Sequence, residues 1–375
     1  MIYLDNAATT KPSKKAVEAM LAAAESFGNP SSLYKLGLES EKLINKSRDI
    51  IANMLGTESR HIYFTSGGTE ANNTAILGEA YGRHKLGNHI VTTKIEHPSV
   101  LETVRRLENE GFDVTYLNVD SDGRIDLEEL KSVLCDETIL VSIMHVNNET
   151  GVIQPVEGVK VVMREKSPKA VFHCDCVQSF GKIDVTPILR EADLVSISAH
   201  KIHGFKGTGA LYVNDTKLRP LISGGEQQKG IRPGTENTGG IMAFGAAASE
   251  CSCDNSRMKE IRRNLAGQLT KRIKNIKING SDEYNSGSVL NVSFIGIKAE
   301  ILLHALETHG IYVSTGSACS SHKPQPSHVL TAMGLDKAEI SGAVRFSFDD
   351  SITDEDIDIT AEAVEKEVNT IRKFM

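Results

Sequence analysis

"LVSISAHKIHGFKGTGALYV", residues 194 to 213, sets two apolar runs, LVSIS and GALYV, on either side of a polar, glycine-rich connection. Each run is apolar nearly throughout rather than alternating. That pattern belongs to strands covered on both faces, hence to a largely parallel sheet wrapped by helices. Lys201 stands at the mouth of the first strand, where a partly desolvated amine has a lowered pKa and becomes a usable nucleophile or base. Taken singly it could equally snorkel to solvent.

Working outward, the same texture recurs in HIYFT (61–65), HIVTT (89–93), DVTYL (113–117), TILVSIM (138–144) and AVFHC (170–174), separated by helical segments. Seven such runs predict a doubly wrapped α/β domain, and function in such sheets gathers at strand ends. Two helices should precede them. One runs from Ser13 to Phe27 with Val17, Met20, Leu21 and Ala24 at helical spacing, and one from about Glu41 to Leu55 carries Leu43, Ile50, Ile51 and Met54 and stops at Gly56. After about residue 250 a basic helix lined by Ile261, Leu265, Leu269 and Ile273, the strand SVLNVSFIG, the helix AEILLHALETHG and a last helix from about Asp354 suggest a smaller α+β domain. The expected division is 13–250 for the large domain, with 1–12 and 251–375 forming the small one.

Composition narrows the function. The chain has 375 residues and a formal net charge of −7, so no global field draws it to nucleic acid or an anionic membrane. No stretch approaches the ~18 apolar residues of a spanning helix, and the first residues lack a basic leader, so the default is a soluble cytoplasmic protein. Six cysteines are too sparse for a disulfide scaffold and read as reduced thiols. The Cys174/Cys176 and Cys251/Cys253 pairs have CxC rather than CxxC spacing, which argues against a zinc site. No metal is expected.

Three strand-end features combine into chemistry. In TSGGTEANN (65–73) a strand runs into Gly67, Gly68 and Thr69 before a helix opens, offering free amides to a phosphate. Alone this could be a tight turn with Thr69 as a cap. It is not a GxxxxGK[ST] loop, nor does GFKGTG satisfy GxGxxG, so nucleotide binding is disfavoured. In VFHCDCVQ (171–178) Asp175 ends a strand, where a carboxylate is costly unless a cation meets it; singly, it could be a structural ion pair. A phosphate cradle, a strand-end carboxylate and a strand-end lysine together are what pyridoxal 5'-phosphate requires. The lysine bonds the aldehyde, the carboxylate keeps the pyridine nitrogen protonated, and the cradle holds the phosphate.

With these residues in view, the chain resembles the cysteine desulfurases of the NifS and IscS type, within the class V aminotransferases and the fold type I pyridoxal phosphate enzymes. YLDNAATT, GNPSS, TSGGTEANN, EHPSV, HVNNETG, HCDCVQ, SAHKIHG, RPGTEN, STGSACSS and VRFSF occur in the family's order along nearly the whole chain. The resemblance implies a large domain with a mostly parallel seven-stranded sheet, wrapped by helices, beside a smaller α+β domain.

It also implies roles. His97 would stack on the cofactor ring and assist proton transfer, Asp175 would pair with the pyridine nitrogen, and Gln178 with the phenolic oxygen. Gly68, Thr69, Ser198 and His200 would hold the phosphate, and Thr235 would add a contact from a neighbouring subunit, implying a homodimer. Asn148, beside the cofactor, and Arg345 would receive the substrate carboxylate. Cys319, in a small, polar, proline-punctuated segment that reads as a mobile loop, would accept sulfur from L-cysteine as a persulfide, leaving alanine. The sulfur would pass to an acceptor or scaffold protein for iron-sulfur assembly or thiolation. A selenocysteine lyase, another class V aminotransferase and a noncatalytic cysteine-bearing scaffold are the competing readings. Tyr34, where the family usually has histidine, and Cys174 and Cys176 beside the strand-end aspartate depart from the pattern.

Overall fold

The computed structural model describes residues 1–214, 216, 218–315 and 326–374. After a short first strand β1 (Ile2–Tyr3), the seven apolar runs become β2 (Ile62–Thr65), β3 (His89–Thr93), β4 (Asp113–Leu117), β5 (Thr138–Met144), β6 (Val171–Asp175), β7 (Leu194–Ser198) and β8 (Gly209–Val213). They form one sheet in the order β2-β8-β7-β6-β5-β3-β4. Every residue of β3, β5, β6, β7 and β8 is buried, as continuous apolarity requires, while β4 at the edge is mostly not. Strands β3 to β7 pair in parallel, and β8 runs against both β7 and β2. The reversal follows from length: residues 199 to 208 are too few for the crossover helix a parallel return needs. That short return carries Lys201.

The helix Lys14–Glu25 starts where expected, with Ser13 Oγ accepting from Ala16 N at 3.2 Å. Its buried face is a correction, however, because Val17 and Leu21 are exposed and Ala16 and Ala23 are buried. This helix lies against the glycine- and alanine-rich helix Thr238–Ala248, so closely that a Cβ on Gly239 would fall 2.6 Å from Met20 Sδ. Close approach favours the small residues over the branched stripe. The next helix, Lys35–Leu55, begins six residues before the expected start, since its first turns carry exposed Leu36 and Leu38 and no apolar stripe. Ile44, Ile51 and Leu55 are buried, Leu43 and Ile50 only half-buried, and Gly56 closes the helix at φ 69°.

Beyond residue 250 the helix Ser256–Arg272 buries Ile261, Leu265 and Leu269 and leaves most of its basic residues to solvent. β9 (Ile276–Asn279), β10 (Val289–Phe294), β12 (Ser314–Thr315) and β13 (Ala343–Ser347) form an antiparallel sheet ordered β12-β13-β10-β9. β11 (Ile311–Tyr312) pairs in parallel with β1, so Ile2 and Leu4 join the core of Leu265, Phe294, Leu302, Phe346 and Val364. The last helix, Asp354–Ile371, is started by a capping box between Thr353 and Asp356. No helix among the described residues is long and apolar enough to cross a membrane.

Candidate active site

A cavity of about 220 Å³ opens at the carboxyl ends of β6 and β7. Its first wall is the start of the helix Gly68–Arg83, whose first-turn amides have no intrahelical acceptors. Gly68 is demanded by packing: a Cβ there would stand 2.7 Å from Val177 Cγ2. Gly68 and Thr69 share this wall with Ser198, the last residue of β7, and with His200. Ser198 Oγ is buried and has no hydrogen-bond partner among the described residues. A buried hydroxyl facing helix-start amides fits an anionic group, and a phosphate supplies the acceptors such a wall lacks.

Asp175 ends β6 and projects into the cavity. Its Oδ2 accepts from Asn72 Nδ2 at 2.7 Å and its Oδ1 from Val177 N at 2.9 Å. Asn72 Nδ2 also donates to Ser99 Oγ at 2.9 Å, and Ser99 Oγ lies 2.8 Å from His97 Nδ1. A polar chain therefore joins the aspartate to the histidine. His97 Nδ1 also accepts from Ser99 N at 3.1 Å, which assigns the neutral ring's proton to Nε2. Burial holds the His97 pKa below the usual range, with Lys201 and His328 adding to the fall and Asp175 opposing it. A neutral, flat imidazole is suited to lie against an aromatic ring.

Lys201 closes a single turn, Ala199–Lys201, after β7. Its Nζ donates to Ala8 O at 2.8 Å and to Ala7 O, so the amine is held over the N-terminal segment. Gln178 Nε2 donates to the same Ala7 carbonyl at 3.0 Å. Neighbouring positive charge matters here: burial, then Lys201, Lys206 and Lys182, push the His200 pKa down to about 4.

The structure thus brings Gly68, Thr69, His97, Asn148, Asp175, Gln178, Ser198, His200 and Lys201 to one cavity. Arg345, on β13, does not line it but is tied to it, donating to the Asn148 carbonyl at 3.0 Å and to Asp5 Oδ1 at 2.8 Å. Its buried Nε has no hydrogen-bond partner among the described residues. Thr235 is exposed and absent from the cavity wall. Cys319 lies outside the described residues.

The comparisons agree with this geometry. Residues 2–359 match the family model "Aminotransferase class-V". The chain belongs to the class V aminotransferase family. It is 43% identical over 381 residues to "Cysteine desulfurase IscS" of Clostridium botulinum, covering 100% of this chain and 96% of that protein. Among solved structures it is similar to a "NIFS-LIKE PROTEIN" at a TM-score of 0.92 and 37% identity, covering 98% of this chain and 99% of the other. A structure titled "SspA in complex with cysteine" matches at a TM-score of 0.82 and 36% identity, over 93% of this chain and 99% of the other.

Two residues in and beside this site were not predicted from the sequence, Asn72 on the cavity wall and Glu96 next to His97. Asn72 stands four residues after Gly68, one helical turn into the cavity, a spacing that could have flagged it. Glu96 gave no signal. It is fully buried, its Oε1 accepting from Thr93 Oγ1 at 2.8 Å and Met144 N at 2.9 Å, and burial together with the Asp175 charge pushes its pKa up to about 8. An unfolded glutamate titrates near ~4.3, so between that pH and about 8 the folded state keeps a proton the unfolded chain has released, and stability falls as pH rises through this window. Glu96→Gln should remove the slope. From pH 5 to pH 8 the parent should lose on the order of 3–4 kcal/mol more than the variant in urea unfolding; parallel pH profiles would refute the assignment.

Proposed function

We propose that this chain is a cysteine desulfurase using pyridoxal phosphate to take sulfur from L-cysteine, leaving L-alanine and a persulfide on Cys319. The observation that carries the reading is the placement of Asp175, at the end of β6, and Lys201, on the turn after the adjacent β7, in one cavity walled also by the helix start at Gly68. Full-length similarity to cysteine desulfurases and to a structure holding cysteine supports the choice of substrate.

Gly68, Thr69, Ser198 and His200 would hold the phosphate, Asp175 the pyridine nitrogen, Gln178 the phenolic oxygen, and His97 the ring face. Bound there, the cofactor supplies an aldehyde that bonds amines and a protonated ring that accepts electron density from the substrate Cα. Lys201 Nζ would hold the cofactor and would be the base that moves the proton at the substrate Cα. Arg345 and Asn148 orient the substrate carboxylate, for which a planar guanidinium is well shaped. Arg345 is pre-aimed by Asp5 and by the Asn148 carbonyl, so little rotamer freedom is lost on binding. The Cys319 thiolate receives the substrate sulfur and hands it to an acceptor protein. We assign residues 13–250 to the unit that holds the cofactor, with 1–12 and 251–375 as the unit that carries Cys319. Thr235, exposed on its own chain, would complete the phosphate site of a second subunit in a homodimer, and the cytoplasm is the expected compartment.

The test supplies L-cysteine and a thiol reductant to the loaded enzyme and measures alanine and sulfide. The parent should release the two in equal amounts, and Cys319→Ser should lose roughly 100-fold or more of its sulfide release. Undiminished sulfide would remove the persulfide step. Amino-group exchange with pyruvate or glutamate would favour an aminotransferase, and selenocysteine turnover retained in Cys319→Ser would favour a selenocysteine lyase.

A further inference from the structure

Lys182 is a lysine that the reaction described above does not use. It is 9% exposed and lies on the turn that follows β6, four residues after Gln178. Its Nζ donates to Gln178 Oε1 at 3.3 Å, while Gln178 Nε2 donates to the Ala7 carbonyl that also accepts from Lys201 Nζ. A continuous polar path therefore runs from Lys182 through Gln178 and Ala7 to Lys201.

A second cavity, about 320 Å³, also reaches Lys201, and both Lys182 and Lys201 line it. The two cavities share Lys201 as a common wall residue. The groups that face Lys182 are Gln178 on its own turn, Arg345 from β13, Asp349 just beyond β13, and Cys251 from the segment after the helix Thr238–Ala248. His203, Glu250, Asp254 and Asp350 line the same cavity. Burial, then the Arg345 charge, push the Lys182 pKa down to about 8, with Asp349 and Cys251 opposing. Its charge also reaches the cofactor side, since Lys182 contributes to the depression of the His200 pKa.

An amide is ambiguous by itself, because its oxygen and nitrogen ends have nearly the same shape and can exchange by a flip. An ammonium removes the ambiguity, since it has donors only and can be met only by the oxygen. We propose that Lys182 is a positioning residue, whose ammonium fixes the Gln178 amide with its nitrogen toward Lys201 and places a second positive charge behind that lysine. The inference rests on the pyridoxal phosphate reading above. Two consequences follow for the loaded enzyme. Gln178 keeps a donor on the cofactor side, and the nearby cation disfavours protonation of the nitrogen of Lys201 while that nitrogen is bonded to the cofactor.

The test uses the loaded, full-length enzyme and reads the pH midpoint of its yellow absorption and the cofactor dissociation constant, with no turnover. Lys182→Met, similar in length but without charge or donor, should raise the midpoint by about one pH unit, a tenfold change in proton affinity. It should also weaken cofactor binding roughly 5- to 20-fold. Lys182→Arg, which keeps charge and donors, should hold the midpoint within about 0.3 unit of the parent. A purely structural lysine would lower thermal stability in Lys182→Met and leave the midpoint where it was, and that result would overturn the proposal. If Lys182→Met does not fold, Lys182→Gln is read the same way, and failure of both to fold counts against a positioning role. A parent that stays colourless with added cofactor overturns the pyridoxal phosphate reading instead, whereas a yellow parent with an unmoved variant overturns only the role of Lys182.

Discussion

Lys201→Ala should yield a folded protein that never forms the yellow holoenzyme and releases neither alanine nor sulfide from L-cysteine, a loss of at least roughly 10⁴-fold. The size of the effect comes from two functions vested in one nitrogen. On the proposed reading, Nζ would be both the atom that bonds the cofactor and the base that moves the substrate Cα proton. The fold should survive, because Lys201 is only half-buried and occupies a single turn after β7, and its truncation leaves the strand and the packing beneath it intact. The variant gives up the hydrogen bonds to the Ala7 and Ala8 carbonyls; the Ala7 oxygen keeps the bond from Gln178 Nε2, and Ala8 lines the cavity. That should cost about 1 kcal/mol. Absorbance, alanine release and thermal unfolding of one preparation separate the outcomes: a colourless, stable, inactive protein is expected, and a yellow, active variant would refute the assignment.

Asp175→Asn should retain the fold and bind cofactor, yet lower kcat by about 10²- to 10³-fold. The aspartate is 5% exposed and both of its oxygens already accept hydrogen bonds, from Asn72 and from Val177 N. An asparagine keeps one acceptor and turns the other into a donor facing a donor, which sets a buried amide against Asn72 or the Val177 amide. It also removes the negative charge that would stabilise a protonated ring nitrogen. A factor of 10²–10³ corresponds to about 2.7–4 kcal/mol, the range for a preorganised electrostatic partner in a dry site. Steady-state kinetics with L-cysteine, alongside the cofactor dissociation constant, check it. A KM effect with unchanged kcat would assign Asp175 to binding alone. Asp175→Glu, which restores charge with a longer arm, should recover part of kcat.

Much of this site was legible because backbone rules put strand ends, tight turns and helix starts where function collects. Gly68, Asp175 and Lys201 each sit where an apolar run stops, and a change of texture in the chain marks such a place. Cys319 stood out by the opposite texture, a polar segment around a thiol. His97 and Arg345 carried no such mark, and the family pattern alone named them. The helix Lys14–Glu25 shows where periodicity misleads. Its apolar stripe at Val17 and Leu21 faces solvent, because the neighbouring helix is made of small residues and draws the alanine face inward.

From the order of its residues alone the chain determined the seven strands, the burial of the inner ones on both faces and the turn that carries Lys201, all of which are local in sequence or follow from the periodicity of side chains. Only the tertiary structure decided which distant groups meet. Asn72 reaches Asp175 across 103 residues, Lys201 rests on the carbonyls of Ala7 and Ala8, and Arg345 is aimed by Asp5 from 340 residues away. It also buried Glu96 beside the Asp175 charge and Lys182 behind Lys201. Hydrogen bonds and desolvation act over a few ångströms of space, whatever the separation along the chain, so their partners become defined only when the sheet has closed and the N-terminal segment has docked against it.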